Sequence, residues 1–342
     1  MNGSTRNGIR LGLPSKGQLG ETTLMFFKSC GLTVNKTNPR QYTATIPAMP
    51  EIEVLFQRSP DISRTVSNGD IDLGITGFDT LEEHALEADS NVMVLHDGLG
   101  YGGCSLVIAV PDTWDVHTAS DLANHAVQHN GLRVATAFPN LTNKFLSEHK
   151  IAPVKVVLAS GALEAMPTIG SADFICDITA TGTTLRDNHL RMLEDGLILR
   201  SEASLIANPD SLRHKPKVQA IARRLLELFE ANLNAQSRYL IFANMRGENA
   251  ESVAARLFEQ TELGGLTGPT IAPIYSQQHS HAGHWFSVSI VVDDRHLYEA
   301  ISQLRSIGGS GVVVTPITYI FDEYPERCRK LDEFIQGTGI RA

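Results

Sequence analysis

Four threonines and one glycine lie within six consecutive residues, Thr179 to Thr184, and this composition is suited to binding an anion. The apolar segment before them, Asp173 to Ile178, is typical of a short buried strand. A helical pattern follows, with one face formed by Leu185, His189, Met192 and Leu193. A strand, a small-residue loop and a helix start bind phosphate because unpaired backbone N–H groups and the helix dipole attract an anion. The alternative is an ordinary threonine-rich turn.

Six residues are expected to line this phosphate-binding loop: Thr179, Ala180, Thr181, Gly182, Thr183 and Thr184. Gly182 allows the backbone to approach a ligand closely. Asp177 stands at the carboxyl end of the predicted strand, where open α/β sheets bind their ligands. Because a carboxylate repels phosphate, Asp177 is expected to accept hydrogen bonds from sugar hydroxyls. A phosphate and a diol together indicate a ribose 5-phosphate group.

Positively charged residues occur in the loops that follow earlier predicted strands. Lys16 lies beside Gly17 at a predicted helix start, and Arg40 and Arg58 occupy two further loops. These three cations can gather around a polyanion, although a solvated surface position is the alternative for each. Asp79 follows the predicted strand Asp72 to Thr76 and is a further candidate for substrate binding.

The composition narrows the class of protein. The chain has 342 residues, of which 42% are hydrophobic and 20% charged, as expected for a globular protein of two or three domains. Its net charge of −9 argues against nucleic-acid binding. No apolar run approaches the roughly 18–20 residues of a membrane span, and no secretory signal is expected. A cytoplasmic location is therefore expected, or a plastid location if a transit peptide is removed.

The four cysteines are scattered, which favours free thiols over disulfides.

The order of predicted elements divides the chain into three domains. Residues 1–103 are expected to form one α/β domain, and residues 104–196 a second that carries the phosphate-binding loop. A helix over Ala162 to Gly170 would carry Glu164. Residues 238–342 follow the β-α-β-β-α-β order of a ferredoxin-like module, which is often regulatory.

Other sites of known type are not predicted. The first strand is followed by neither GxGxxG nor GxxxxGK[ST], and the chain has neither a GxSxG nor an HExxH motif. One loop contains His279, His281 and His284, but no acid or cysteine joins them. An exposed polar loop explains this group as well as a metal site does, so no protein metal site is assigned.

A resemblance to one family connects these segments. Gly161 to Leu185 (GALEAMPTIGSADFICDITATGTTL) closely resembles the signature of ATP phosphoribosyltransferase, the first enzyme of histidine biosynthesis. The similarity extends to Leu13 to Gly17 (LPSKG) and Asp72 to Asp79 (DLGITGFD). Leu304 to Pro316 resembles the regulatory domain of the long form. Two further segments are similar to the plant-like branch, Asn38 to Tyr42 (NPRQY) and Ala243 to Gly247 (ANMRG).

The resemblance implies a reaction and a fold. N1 of ATP attacks C1 of phosphoribosyl pyrophosphate (PRPP), giving phosphoribosyl-ATP and pyrophosphate, with Mg²⁺ required. The family has two periplasmic-binding-protein-like α/β domains around the active site and a C-terminal ferredoxin-like domain. Its chain returns to the first domain after the second, which would place residues 197–237 with residues 1–103. That third domain would bind histidine as a feedback inhibitor and help dimers to form hexamers. Mg²⁺ would be held mostly by substrate phosphates and water.

The implied roles agree with the residue chemistry. Lys16, Arg40 and Arg58 would stabilise the leaving pyrophosphate, since arginine binds phosphate bidentately. The loop from Thr179 to Thr184 would hold the 5-phosphate. Glu164 would orient the adenine or the ribose, and its alternative role is a cap or salt bridge on its own helix.

Two rival classes stay open on sequence alone. Type I phosphoribosyltransferases have two adjacent acids before a similar loop, but Cys176 replaces the first of them here. A non-catalytic binding protein of the periplasmic-receptor type, or a regulatory subunit that lost its chemistry, would also have two α/β lobes. A receptor has no need of a ribose-phosphate loop, so the sequence favours the enzyme.

Overall fold

Three β-sheets organise the chain in the computed structural model, which describes residues 8–36, 38, 41–87, 90–265, 268–275 and 284–337. The chain separates into two units, Met1–Phe229 with Tyr324–Ala342, and Glu230–Glu323. The first unit contains two sheets, each with helices, which we call the first and second lobes. Arg40, His279 and His281 lie outside the described residues.

The first lobe begins as alternating strands and helices. Its elements are β1 (Ile9–Pro14), α1 (Gly17–Ser29), β2 (Thr43–Thr45), β3 (Ile52–Gln57), α2 (Ser59–Ser67), β4 (Leu73–Gly77), α3 (Phe78–Ala85) and β5 (Met93–His96).

The second lobe follows without interruption. Its elements are β6 (Cys104–Pro111), α4 (Ala119–Gln128), β7 (Leu132–Thr136), α5 (Pro139–Glu148), β8 (Val154–Leu158), a 3-10 turn (Leu163–Ala165), β9 (Phe174–Thr179), α6 (Thr183–Asp187) and β10 (Leu190–Ser201). The chain then returns to the first sheet with β11 (Ala203–Ala207) and continues through α7 (Pro209–His214) and α8 (Pro216–Ala235).

The first sheet has the strand order β2-β3-β1-β4-β11-β5. Strand β1 pairs in parallel with β3 and β4, whereas β11 is antiparallel to β4 and β5. Every residue of β4 and β11 is buried, as expected for central strands covered on both faces. Because β1 pairs in parallel with β3 and β4, the carboxyl ends of these three strands lie at the same edge of the sheet.

The second sheet has the order β10-β6-β9-β7-β8, with β7 parallel to β8 and β9. Strand β6 runs antiparallel to β9 and β10. Apolar residues of its strands and of α4 and α5 form one buried cluster that includes Phe138, Phe145 and Phe174. Strand β9, which leads into the threonine-rich loop, is therefore held in the middle of a packed layer.

The second unit consists of β12 (Arg238–Gly247), α9 (Ala250–Phe258), β13 (Thr270–Ile274), β14 (His284–Asp293), α10 (Leu297–Ser306) and β15 (Ser310–Pro316). Its sheet order is β13-β14-β12-β15, and all of its pairs are antiparallel. Both helices pack on one face through Val253, Leu257, Ala300 and Leu304. The predicted fold class, two α/β domains followed by a ferredoxin-like module, is confirmed.

The last helix, α11 (Glu326–Gln336), belongs to the first unit. Arg327 donates a 2.6 Å hydrogen bond to the carboxylate of Asp97, and the Arg213 guanidinium lies 4.7 Å from the centre of the Phe334 ring. Among the described residues, no helix is both long and apolar enough to cross a membrane.

Two predicted helices are wrong. Between Ala162 and Gly170 the chain forms only a three-residue 3-10 turn, because Gly161 and Ala162 have positive φ and Pro167 lacks an N–H donor. The helix predicted from Leu185 to Leu193 ends at Asp187. His189 has a φ of 56°, which ends the helical path, and the following residues pair with β6 as a strand.

Candidate active site

A cavity of 420 Å³ opens between the two lobes of the first unit. Its lining residues come from both lobes: Lys16, Gly17, Leu19, Ser59, Gly77, Asp79, Thr80, Gly102, Gly103, Cys104, Phe138, Ile178, Thr179 and Ala180. Those after β1, β3, β4 and β9 stand at the carboxyl ends of their strands, where open α/β sheets bind ligands.

Lys16 brings a positive charge to this cavity. It is the exposed residue immediately before α1, and Gly17 beside it has a φ of 72°. That left-handed conformation is easily adopted by glycine. The turn places Lys16 in the same cavity as Thr179 and Ala180. A cation and the start of the threonine-rich loop therefore line the same cavity.

The threonine-rich loop is braced by its own hydroxyl groups. The Gly182 N–H donates to Thr179 Oγ1 at 2.9 Å, and the hydroxyls of Thr181 and Thr183 lie 3.0 Å apart. Gly182 has a φ of 71°. Helix α6 behind the loop is only five residues long, so its dipole is weaker than the sequence predicted. The hydroxyl groups and nearby side chains must therefore carry more of any phosphate binding.

Arg186 is a residue that the sequence interpretation missed. Its Nη2 donates to Thr183 Oγ1 at 3.1 Å and its Nη1 donates to the Thr181 carbonyl at 3.4 Å. Thr183 and Arg186 are three residues apart on one helix, a spacing at which side chains meet. This three-residue spacing is the feature of the sequence that could have indicated the contact. In the longer helix that was predicted, Arg186 is one of many surface residues.

Asp177 is a half-buried carboxyl group near the carboxyl end of β9. Its pKa is raised to about 6, mainly by burial and also by the negative charge of Glu164, while the Ile178 N–H donates to Oδ1 at 2.8 Å and opposes the shift. Glu164 lies in the 3-10 turn between Leu163 and Ala165. Two carboxyl groups therefore influence each other beside the loop, with one titrating close to neutral pH.

Asp79 lies at the first turn of α3 and is only 6% exposed. Its Oδ1 accepts a 2.5 Å hydrogen bond from Ser201 Oγ, and the Asp79 backbone N–H donates to Ser201 Oγ at 2.9 Å. A Cβ atom on Gly77 would lie 2.3 Å from Asp79 Oδ1, so glycine is required there. These contacts fix the Asp79 carboxylate at the wall of the cavity.

Cys104 also lines the cavity, at the start of β6. Burial raises the pKa of its thiol to about 11, and the charge of Asp79 adds to the effect. The thiol therefore stays protonated at neutral pH, and a protonated thiol is a poor nucleophile.

The predicted site residues do not all meet in this cavity. Four of them line it: Lys16, Asp79, Thr179 and Ala180. Arg58 is the exposed residue before α2, and its neighbour Ser59 reaches the cavity instead. The remaining loop residues continue from Ala180 into α6.

Comparison with known proteins decides the family. A family model described as ATP phosphoribosyltransferase matches residues 58–227, and the HisG C-terminal domain matches residues 235–319. ATP phosphoribosyltransferase 1, chloroplastic, from Arabidopsis thaliana is 41% identical over 98% of this chain and 82% of its own length. The chain belongs to the ATP phosphoribosyltransferase family. An ATP phosphoribosyltransferase from Bradyrhizobium diazoefficiens is 35% identical over 95% of this chain and 98% of its own length.

A solved structure agrees with this assignment. A chain of the ATP phosphoribosyltransferase (HisG:HisZ) complex from Thermotoga maritima superposes with a TM-score of 0.51 at 25% identity, covering 65% of this chain and 98% of that one. As a family member, this ATP phosphoribosyltransferase uses ATP and PRPP and catalyses the first step of histidine biosynthesis. The enzyme interpretation is confirmed, and the match at 235–319 is consistent with a regulatory domain.

Proposed function

We propose that the two lobes divide the binding of PRPP between them. The loop from Thr179 to Thr184 holds the 5-phosphate, and Asp177 accepts hydrogen bonds from the ribose hydroxyls. Lys16 binds the pyrophosphate from the other side, and Arg58 and Arg40 contribute further positive charge to it. The observation that carries this proposal is the single 420 Å³ cavity shared by Lys16, Thr179 and Ala180.

This division suits the chemistry of the transfer. N1 of ATP forms a bond to C1 of the ribose while the bond from C1 to the pyrophosphate oxygen breaks. Positive charge grows on the sugar ring and negative charge on the leaving group. Catalysis then rests on positioning and on cations that meet the departing charge. The adenine N1 carries no proton, so no general base is required. Glu164 and Asp79 help to orient the substrates.

Mg²⁺ enters this scheme with the substrate. No group of three or more histidine, cysteine or acidic residues suited to a metal occurs among the described residues. Asp79 Oδ1 is already engaged by Ser201, and the raised pKa of Asp177 disfavours its charged form. These side chains fit a metal carried by the PRPP phosphates rather than one held by a protein cage. Bound there, Mg²⁺ neutralises part of the pyrophosphate charge.

Arg58→Ala tests the contribution of Arg58 to binding the pyrophosphate. We expect kcat to fall by about 10-fold, because an exposed arginine beside the leaving group supplies a partly screened charge. The KM for ATP should change little. The measurement is PRPP-dependent formation of phosphoribosyl-ATP, followed by ultraviolet absorbance with Mg²⁺ present. Arg64→Ala on the same helix is the control, since Arg64 is paired with Glu87 instead. An unchanged kcat in Arg58→Ala would remove Arg58 from the mechanism.

We also propose that histidine inhibits the enzyme by binding the second unit, and that the protein forms dimers and hexamers. The match of that unit to the C-terminal domain of the family supports this. The chloroplastic location in the names of two Arabidopsis relatives supports a plastid location, with the cytoplasm as the alternative.

An internal deletion tests histidine regulation better than truncation, because α11 packs on the first unit. Asn234 Nδ2 donates to Asp322 Oδ2 at 3.0 Å, so a short Gly-Ser linker can replace residues 235–321. We expect this variant to keep phosphoribosyl transfer and to lose inhibition by histidine. Allosteric inhibition requires a second site that is separate from the catalytic one. If the variant remains active and inhibited by histidine, the regulatory proposal is wrong.

A further inference from the structure

The guanidinium group of Arg186 lies against the threonine-rich loop. It donates to Thr183 Oγ1 at 3.1 Å and to the Thr181 carbonyl at 3.4 Å. A Cβ atom on Gly182 would lie 3.3 Å from Arg186 Nη1, so the cation lies close to the backbone of the turn. Within the described part of the chain, Arg186 forms no ion pair with a carboxylate. Its positive charge is directed at the loop and is not neutralised by an acid.

The loop from Thr179 to Thr184 contains no charged side chain to neutralise a phosphate dianion. The Gly182 N–H is already bonded to Thr179 Oγ1, and the hydroxyls of Thr181 and Thr183 bond to each other. Helix α6 has five residues and contributes little dipole. Asp177 beside the loop adds negative charge whenever it is ionised. A dianion bound here therefore needs a cation, and Arg186 is in contact with the loop.

We propose that Arg186 binds the 5-phosphate of PRPP. This proposal rests on the function proposed for the loop. The guanidinium exchanges its contacts with Thr181 and Thr183 for two phosphate oxygens, since the planar fork of arginine fits phosphate bidentately. The Thr183 hydroxyl accepts from Arg186 in this structure, and its own O–H can turn to donate to the same phosphate. Arg186 is then a substrate-binding residue, and Lys16 serves the opposite, pyrophosphate end.

Inhibition by two fragments of PRPP, ribose 5-phosphate and pyrophosphate, reports separately on binding at its two ends. In Arg186→Ala, the inhibition constant of ribose 5-phosphate and the KM for PRPP should rise roughly 10- to 100-fold, as for the loss of a charge-assisted hydrogen bond. The inhibition constant of pyrophosphate should change less than about 2-fold, because Arg186 does not reach that end. Lys144→Ala, an exposed cation of the same lobe outside the cavity lining, is the charge-matched control.

Two conservative variants distinguish phosphate binding from bracing of the loop. Arg186→Lys keeps the charge, and Arg186→Gln keeps a neutral donor for the Thr181 carbonyl. Phosphate binding predicts that lysine restores ribose 5-phosphate affinity better than glutamine. Restoration by glutamine alone would overturn the proposal, because a neutral brace then suffices.

A loop variant separates failure of this inference from failure of the proposed function. Thr183→Val should weaken ribose 5-phosphate if the loop binds the phosphate. If Thr183→Val weakens it and Arg186→Ala does not, the Arg186 proposal is wrong and the loop proposal stands. If neither variant changes it, the proposed role of the loop is wrong as well.

Discussion

Lys16→Ala is expected to lower kcat by about 100- to 1,000-fold, the range found when one group that stabilises transition-state charge is removed. Lys16 lines the cavity from the first lobe, opposite Thr179 and Ala180. The departing pyrophosphate gains negative charge only as the bond to C1 breaks, so the loss should appear in kcat more than in the KM for ATP. Steady-state kinetics with both substrates varied measures the two effects.

Controls for Lys16→Ala follow from its position. Lys16 is exposed, so its removal should leave the melting temperature nearly unchanged. Lys16→Arg keeps the charge and should recover part of the rate. The inhibition constant of pyrophosphate should rise in Lys16→Ala while that of ribose 5-phosphate stays close to wild type. A variant with normal kcat and normal pyrophosphate inhibition would exclude Lys16 from leaving-group stabilisation.

Asp177→Asn is expected to lower kcat/KM for PRPP by about 100- to 1,000-fold. The carboxylate accepts hydrogen bonds from ribose hydroxyls, and each such bond to a charged group contributes about 1.5–3 kcal/mol. An amide retains only one acceptor oxygen and loses the charge. Asp187→Asn, an exposed change ten residues further along the chain, is the matched control. Wild-type kcat/KM in Asp177→Asn would show that the ribose is bound elsewhere.

The raised pKa of Asp177 adds a pH dependence to this prediction. Because the ionised carboxylate is the acceptor, kcat/KM for PRPP should fall as the pH drops through about 6. That acidic limb should be absent from the residual activity of Asp177→Asn. Rate profiles between pH 5 and 8 measure it, and an identical limb in the variant would assign the titration to another group.

The same carboxyl group should reduce stability at neutral pH. Its pKa in the folded protein, about 6, lies above the ordinary value of 3.8, so this carboxyl group binds more protons in the folded state between these values. Wild-type stability therefore rises as the pH falls through this window. At pH 7.5, Asp177→Asn should melt at a higher temperature than wild type, and the difference should shrink near pH 4.5. An inactive but more stable variant is the expected signature of a binding residue.

The sequence was sufficient to predict secondary structure where the local pattern of apolar residues agrees with their burial in the fold. In β12 and β14 buried and less buried residues alternate along the strand, which is why the ferredoxin-like order could be read without coordinates. The mostly apolar segments of β4 (LGITG) and β11 (ASLIA) also favour strands, and both strands are buried along their whole length. In these strands the pattern of apolar residues in the sequence agrees with the pattern of burial in the structure.

The failures occurred where distant contacts overrode the local pattern. The spacing of Leu185 to Leu193 suits a helix, but the ladder between β10 and β6 satisfies these backbone groups as a strand. Arg186 was missed for a different reason, since its three-residue spacing from Thr183 is common on any helix and does not by itself indicate a site. The placement of α11 rests on contacts such as that of Asp332 with Arg223, more than a hundred residues away in sequence.

The claim that the two lobes bind opposite ends of PRPP can be tested by a crystal structure of the enzyme with PRPP and Mg²⁺. The claim predicts the 5-phosphate within hydrogen-bond distance of Thr181 to Thr184 and the pyrophosphate beside Lys16. A pyrophosphate seated in the threonine-rich loop, with the 5-phosphate near Lys16, would contradict it.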